Sequence, residues 1–336
     1  MNEYHFSRLD RKEQAYYRKM LEAVKRGDSS IKPSLLIDGD AISKIASAIN
    51  YDHPELFYVD FRHLSFMITP MGTVYNVNYL VKSSLRSLFE RELEDRISSI
   101  LNLATQRKLK GAYEKCRWIH DYLVRNIRYN HEALKRPDEY PDSFSIKGVF
   151  MDGLAVCEGI SKAFKLLCDR IGDVDASVVF GTSSQDTLGL NIPHAWNVVT
   201  FNGNYVHIDV TWDIGLSESS RYTRYDYFCV SDRWMKKDHV YDIHPVCATD
   251  AYSYFSKRGR AFSKGKELQS YIDTEMKKGS TVLYFKIDTS QADLDAMQLK
   301  INSQVSNGVL ANVNSGYRLE LVPNIKQQCF FYRIKQ

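Results

Sequence analysis

The sequence lacks any apolar run approaching the roughly 18 to 20 residues that a membrane-spanning helix needs. Its first residues, MNEYHFSRLDRKEQ, alternate charge where a secretory signal would be apolar. A cytoplasmic protein is therefore expected. Proline and glycine are sparse, 8 and 17 in 336 residues, which excludes low-complexity and collagen-like chains. Cysteine is equally scarce: six residues, at 116, 157, 168, 229, 247 and 329, form no CxxC pair and no Cys/His cluster at zinc spacing. Neither a disulfide framework nor a structural metal is expected. Phosphate loops, a GxGxxG with its ribose-binding acid and a calcium loop are all missing, so the expectation is no cofactor. Charge of one sign is lacking too, because 45 basic and 41 acidic residues nearly cancel to +4. Only residues 256–336 lean basic, 13 against 7, and those side chains are spaced out rather than packed into a patch. A nucleic-acid partner is not expected.

What the chain does have is 44% apolar residues, enough to bury the cores of about two or three domains. Apolar residues at helical spacing predict a helix from about 10 to 26, with Gly27 as its stop, and a second, short helix after Asp40. The aromatic and β-branched stretch FYVDFRHLSFMITPMGTVYNVNYL predicts strands turning at Pro70, Met71 and Gly72. Helical periodicity returns from Leu85 to Leu103 and from Tyr113 to Ile127, and a polar connection fills 130–153. Next come a helix from about Cys157 to Ile171, the strand SVVFGT, a polar loop over 181–193, and HAWNVVTF joined to YVHIDVTW by Asn202-Gly203, a strong hairpin signal. From 265 onward the pattern reads helix, strand, helix and two strands. The reading is α+β in three segments: an N-terminal α+β pre-domain (1–100), a central domain (101–255) and a small C-terminal α+β domain (256–336).

Two places carry chemistry. Cys157 opens a predicted helix, where unpaired N–H groups and the positive end of the helix dipole favour a thiolate and could hold an oxyanion. The bland alternative is a small buried thiol. The two-residue hairpin turn pairs 201 with 204 and, counted outward, sets His194 opposite Thr211, with Asp209 and Asp213 as diagonal neighbours on the same face. A histidine and a carboxylate held this way are the base and orienter of a nucleophilic site. Pairing alone does not choose between the two aspartates. His207 reads as a strand side chain packed beside the site. Trp196 and Trp212 are candidate walls of a substrate cleft, or else core, and Tyr129 is a candidate oxyanion or substrate-binding hydroxyl.

The blocks VCEGISKAFKLLCDRIG, HAWNVV and YVHIDVTWD, in that order, resemble the transglutaminase-like superfamily of papain-like cysteine enzymes. YDYFCVSDRWMKKDHVYD resembles the segment that follows the catalytic Asp in a bacterial subgroup, and DHPELFYVD resembles a pre-domain of bacterial members. The resemblance spans roughly 110 to 245. It implies Cys157 as nucleophile, His194 as general base and acid, and Asp209 as the orienter of the imidazole. It also implies an α+β, cysteine-proteinase-type core with the Cys at a helix N-terminus and the His and Asp on adjacent antiparallel strands. No papain-style Gln stands six positions before Cys157, where the residue is Met151, so the second oxyanion donor is unassigned. The expected function is cysteine-dependent hydrolysis of a peptide or isopeptide-like amide through a thioester. Acyl transfer to an amine and a non-catalytic peptide-binding module are the alternatives. The expected partner is a peptide or protein substrate.

Overall fold

The computed structural model describes residues 2–34, 37–63, 65–184, 191–242, 245–289, 294–313 and 316–335. These form two compact units. One holds residues 1–181, 193–203 and 209–211, and the other holds 182–192, 204–208 and 212–336. No helix among the described residues is long and apolar enough to cross a membrane.

After a short helix Tyr4–Ser7 that the sequence did not predict, the first unit continues with the predicted N-terminal helices. Arg11–Arg26 starts on a capping box, with Asp10 accepting from the Glu13 N–H and Glu13 reaching back to Asp10, and stops at Gly27 with φ 85°. Tyr16, Tyr17, Met20 and Val24 form its buried face, which packs on the helix Gly39–Asp52. An antiparallel sheet of Ser30–Ser34, Gly72–Asn76 and Ser65–Thr69, in that spatial order, follows the predicted turn at 70–72. The phrase FYVD, expected as strand, instead makes turns with an isolated bridge from Val59 to Tyr79. Ser83–Gln106 is one continuous helix, and Gly111–Asn126 follows it.

Gly111–Asn126 packs against the helix Cys157–Ile171. Cys157–Ile171 is the buried axis of this unit: Ile160, Ala163, Phe164, Leu167 and Cys168 are fully enclosed. The segment Ser143–Ser145 lies directly on its first turn, because a Cβ at Gly159 would stand 2.5 Å from the Ser143 carbonyl oxygen. Strand Arg128–Tyr129 pairs in parallel with Leu154–Ala155, setting Tyr129 opposite Ala155, two residues before Cys157. Asp175–Ser184 neighbours Asn191–Phe201 in a sheet. Asn202 and Gly203, with φ 49° and 78°, make the predicted turn before the strand Asn204–Ile208.

One strand is shorter than expected. YVHIDVTW does not run extended to Trp212, because the strand ends at Ile208 and a helix, Val210–Ser220, follows at once. A short β-branched run does not distinguish strand from helix. Here the helix is secured by buried Ile214 and by Ser217, whose hydroxyl accepts the Arg224 N–H.

In the second unit, Asn204–Ile208 pairs antiparallel with Phe228–Val230. The C-terminal elements match the predicted order and form a four-stranded sheet: Ala261–Phe262, Val282–Ile287, Cys329–Lys335, Arg318–Leu321. Helices Gly265–Lys277 and Leu294–Leu310 close a core of Leu268, Ile272, Leu283, Phe285, Val305 and Phe330. Of the polar loop predicted over 181–193, residues 185–190 lie outside the described residues.

Candidate active site

Cys157 is the first residue of its helix, and the residue before it, Val156, offers no side-chain cap. Such a terminus leaves its first-turn backbone N–H groups without a cap from the preceding side chain. Glu158, in the same first turn, would oppose a thiolate if its charge stood alone. It does not, because Lys162 donates to its Oε1 at 2.6 Å and Asn50 at 2.9 Å. Lys162 is itself buried and also bonds Asn50 Oδ1 and the Phe144 carbonyl. Sequence reasoning missed this arrangement, since Asn50 lies more than a hundred positions from its partner.

The strand Asn191–Phe201 is fastened to the same helix. Ser161 donates to the Ala195 carbonyl at 3.0 Å, and Asn197 donates to the carbonyls of Ser161 and Ser177. These buried bonds fix His194, the neighbour of Ala195, relative to Cys157. His194 Nε2 and Asp209 Oδ2 are 2.7 Å apart, and both side chains are enclosed. Asp209 sits between the strand end at Ile208 and the helix start at Val210 rather than within a strand. Burial pulls the His194 imidazole down in basicity. The Asp209 charge and hydrogen bond, joined by a hydrogen bond and charge from Cys157, outweigh burial and push its pKa up to about 10. Trp196 is buried and stacks on the His194 ring at 5.9 Å and 18°.

Tyr129 packs on the cluster of Cys157, Val178 and Ala195. Burial, then the charge and side-chain hydrogen bond of Cys157, drive its hydroxyl well above the usual phenol range, opposed by a hydrogen bond to the Cys157 backbone. It therefore remains a proton donor. Tyr51, which the sequence did not single out, packs on the same cluster.

The other predicted residues have partners of their own. Asp213, a diagonal neighbour of His194 in the hairpin reading, belongs to the helix Val210–Ser220 and accepts the Tyr227 backbone N–H. Trp212 lies in the same helix and packs on Tyr227 and His239 at 4.9 and 4.6 Å. His207 bonds Asp232 at 2.9 Å, and Tyr241 also donates to that carboxylate. Met151 lies in a short π-helix, Gly148–Asp152.

Residues 101–210 match the family model of the transglutaminase-like superfamily, and the chain carries a domain of that superfamily. The mouse kyphoscoliosis peptidase is 25% identical over 146 residues, 42% of this chain. That match spans only 20% of the mouse protein's own length. The crystal structure of a TGase aligns at 18% identity and a TM-score of 0.32, covering 52% of this chain and 48% of that one.

Proposed function

We propose that Cys157, His194 and Asp209 act as nucleophile, general base and acid, and orienter in an enzyme that opens amide bonds through a thioester. The observation carrying this reading is the buried 2.7 Å contact between His194 Nε2 and Asp209, which leaves the other ring nitrogen as the one to serve Cys157. In the first step His194 takes the Cys157 thiol proton as the sulfur bonds the amide carbonyl carbon, and it then gives that proton to the departing amine as the C–N bond breaks. Water then attacks the thioester with His194 taking its proton, the S–C bond breaks, the acid leaves and the proton returns to the Cys157 sulfur. The first-turn N–H groups of the helix and the Tyr129 hydroxyl are the donors assigned to the transient oxyanion.

Hydrolysis of a peptide or isopeptide-like amide is the favoured outcome, since transfer needs a second shaped site for an amine, and one relative carries the name of a peptidase. A library of peptides assayed with and without primary amines, with Cys157→Ala as control, tests this reading. Amine-independent release that disappears in Cys157→Ala is expected. Product formed only with added amine would establish a transferase, and no turnover in any well would leave a peptide-binding module.

A further inference from the structure

Large apolar side chains half in solvent are ordinary when scattered, and informative when they continue a buried functional cluster. Phe180 is 53% exposed. It lies two residues beyond Val178 on one strand, hence on the same face, and Val178 is buried against Cys157 and Ala195. Tyr51 bridges the two places. It packs on the Cys157 cluster and stacks on Phe180 with ring centres 5.2 Å apart and planes inclined by 26°.

His5 completes the surface. Its ring lies nearly parallel to Phe180 at 6.1 Å and tilted against Tyr51 at 5.5 Å, and its Nε2 donates to the Val178 carbonyl at 2.7 Å. Burial lowers its basicity, opposed chiefly by the Asp52 charge. The three rings are held from behind, because Asp52, next to Tyr51, accepts the backbone N–H groups of His5 and Phe6 and the Tyr17 hydroxyl. Burial, with the charges of Glu158 and Cys157, keeps the Tyr51 phenol protonated. An uncharged aromatic surface thus runs outward from the thiol to solvent.

The geometry points to a specificity shelf: Tyr51, Phe180 and His5 receive an aromatic side chain of the peptide whose amide Cys157 attacks, a reading that rests on the nucleophilic role given to Cys157 above. Two strand residues span about 6.6 Å, the same step that separates alternate side chains of an extended peptide. The shelf therefore serves a side chain within two residues of the attacked amide.

Calorimetry on the full chain carrying Cys157→Ala tests it, using blocked pentapeptides that contain Gln and either one Phe, moved along the sequence, or Ala in its place. About tenfold tighter binding of a Phe peptide is expected, the scale of one aromatic contact plus its buried area. Adding Phe180→Ala should erase that preference. Should that variant fail to fold, Phe180→Leu, which keeps bulk but not the ring face, should reduce it. Equal binding of Phe and Ala peptides, no binding of either, or a preference indifferent to both substitutions would overturn the shelf. Alkylation of Cys157 by iodoacetamide in the unsubstituted chain reads the other premise separately. An unreactive thiol beside an intact Phe preference sinks the nucleophile and leaves the shelf, whereas a reactive thiol without the preference sinks the shelf alone.

Discussion

At the scale of single residues, the two aspartates that hairpin pairing left equivalent have different surroundings. Asp209 meets the His194 imidazole, and Asp213 accepts a backbone N–H in the following helix. Asp209→Asn should therefore reduce kcat by about 10⁴, as loss of the orienter does in a comparable triad. Asp213→Asn should act mainly on melting temperature; the reverse ranking in two folded variants would refute the assignment. The His194 titration gives a second check. Its folded pKa of about 10 exceeds the usual 6.5, so the stabilisation from its charged form is complete below about pH 6.5 and is lost as pH rises through about 10. In Asp209→Asn that upper titration should move to lower pH in the His194 ring resonances, and an unchanged midpoint would show that Asp209 does not set it. The cysteines supply internal controls, since burial pushes the thiols of Cys168, Cys247 and Cys329 upward. Iodoacetamide at pH 6, followed by peptide mass mapping, should modify Cys157 first, and equal labelling of all six would mean that no activated pair exists. Tyr129→Phe removes the hydroxyl proposed as an oxyanion donor and should cost about 10² to 10³ in kcat with little change in KM.

Among elements, legibility followed local signals. The helix Arg11–Arg26 was readable because its apolar face, capping residues and terminal glycine agree. The helix Cys157–Ile171 and the Asn202-Gly203 turn were equally plain, and with them the order of Cys157 and His194 along the chain. The helix Val210–Ser220 was not, because a short β-branched run fits either period and its decisive contacts come from residues 224 and 227. The partners that hold the site together were invisible for a related reason. Asn50 and Tyr51 reach Cys157 and its helix, and His5 reaches the Val178 beside them, only through tertiary packing, across separations that no spacing rule spans. The close approach at Gly159 makes a direct test of that packing. Gly159→Ala drives a methyl group against the Ser143 carbonyl, so a loss of about 1 to 3 kcal/mol in denaturant unfolding is expected. A neutral result would show that the segment 143–145 moves aside freely.

At the scale of the whole molecule, the basic C-terminal stretch is bound to the rest of its unit through polar groups deep in the core. Arg224 and Asp226 form a fully buried ion pair, Tyr284 donates to Asp226 and bonds the Tyr225 N–H, and Arg224 also donates to the Val322 carbonyl. Truncation after residue 255 removes Tyr284 and Val322 and leaves buried charge poorly satisfied, a change that costs several kcal/mol in comparable cases. The truncated chain should therefore aggregate or lose cooperative melting, and a sharp transition at an unchanged temperature would argue that 256–336 is a detachable module. Elsewhere the molecule forgoes stability it could have had. A Ser or Asp in place of Val156 would cap the helix of Cys157, a contact worth about 1 kcal/mol, yet it would occupy first-turn N–H groups to which the proposed mechanism assigns the oxyanion. Under the proposed mechanism the ragged start of that helix is a local frustration that serves the reaction, and a stability-driven redesign that smoothed it should yield a sturdier and slower protein.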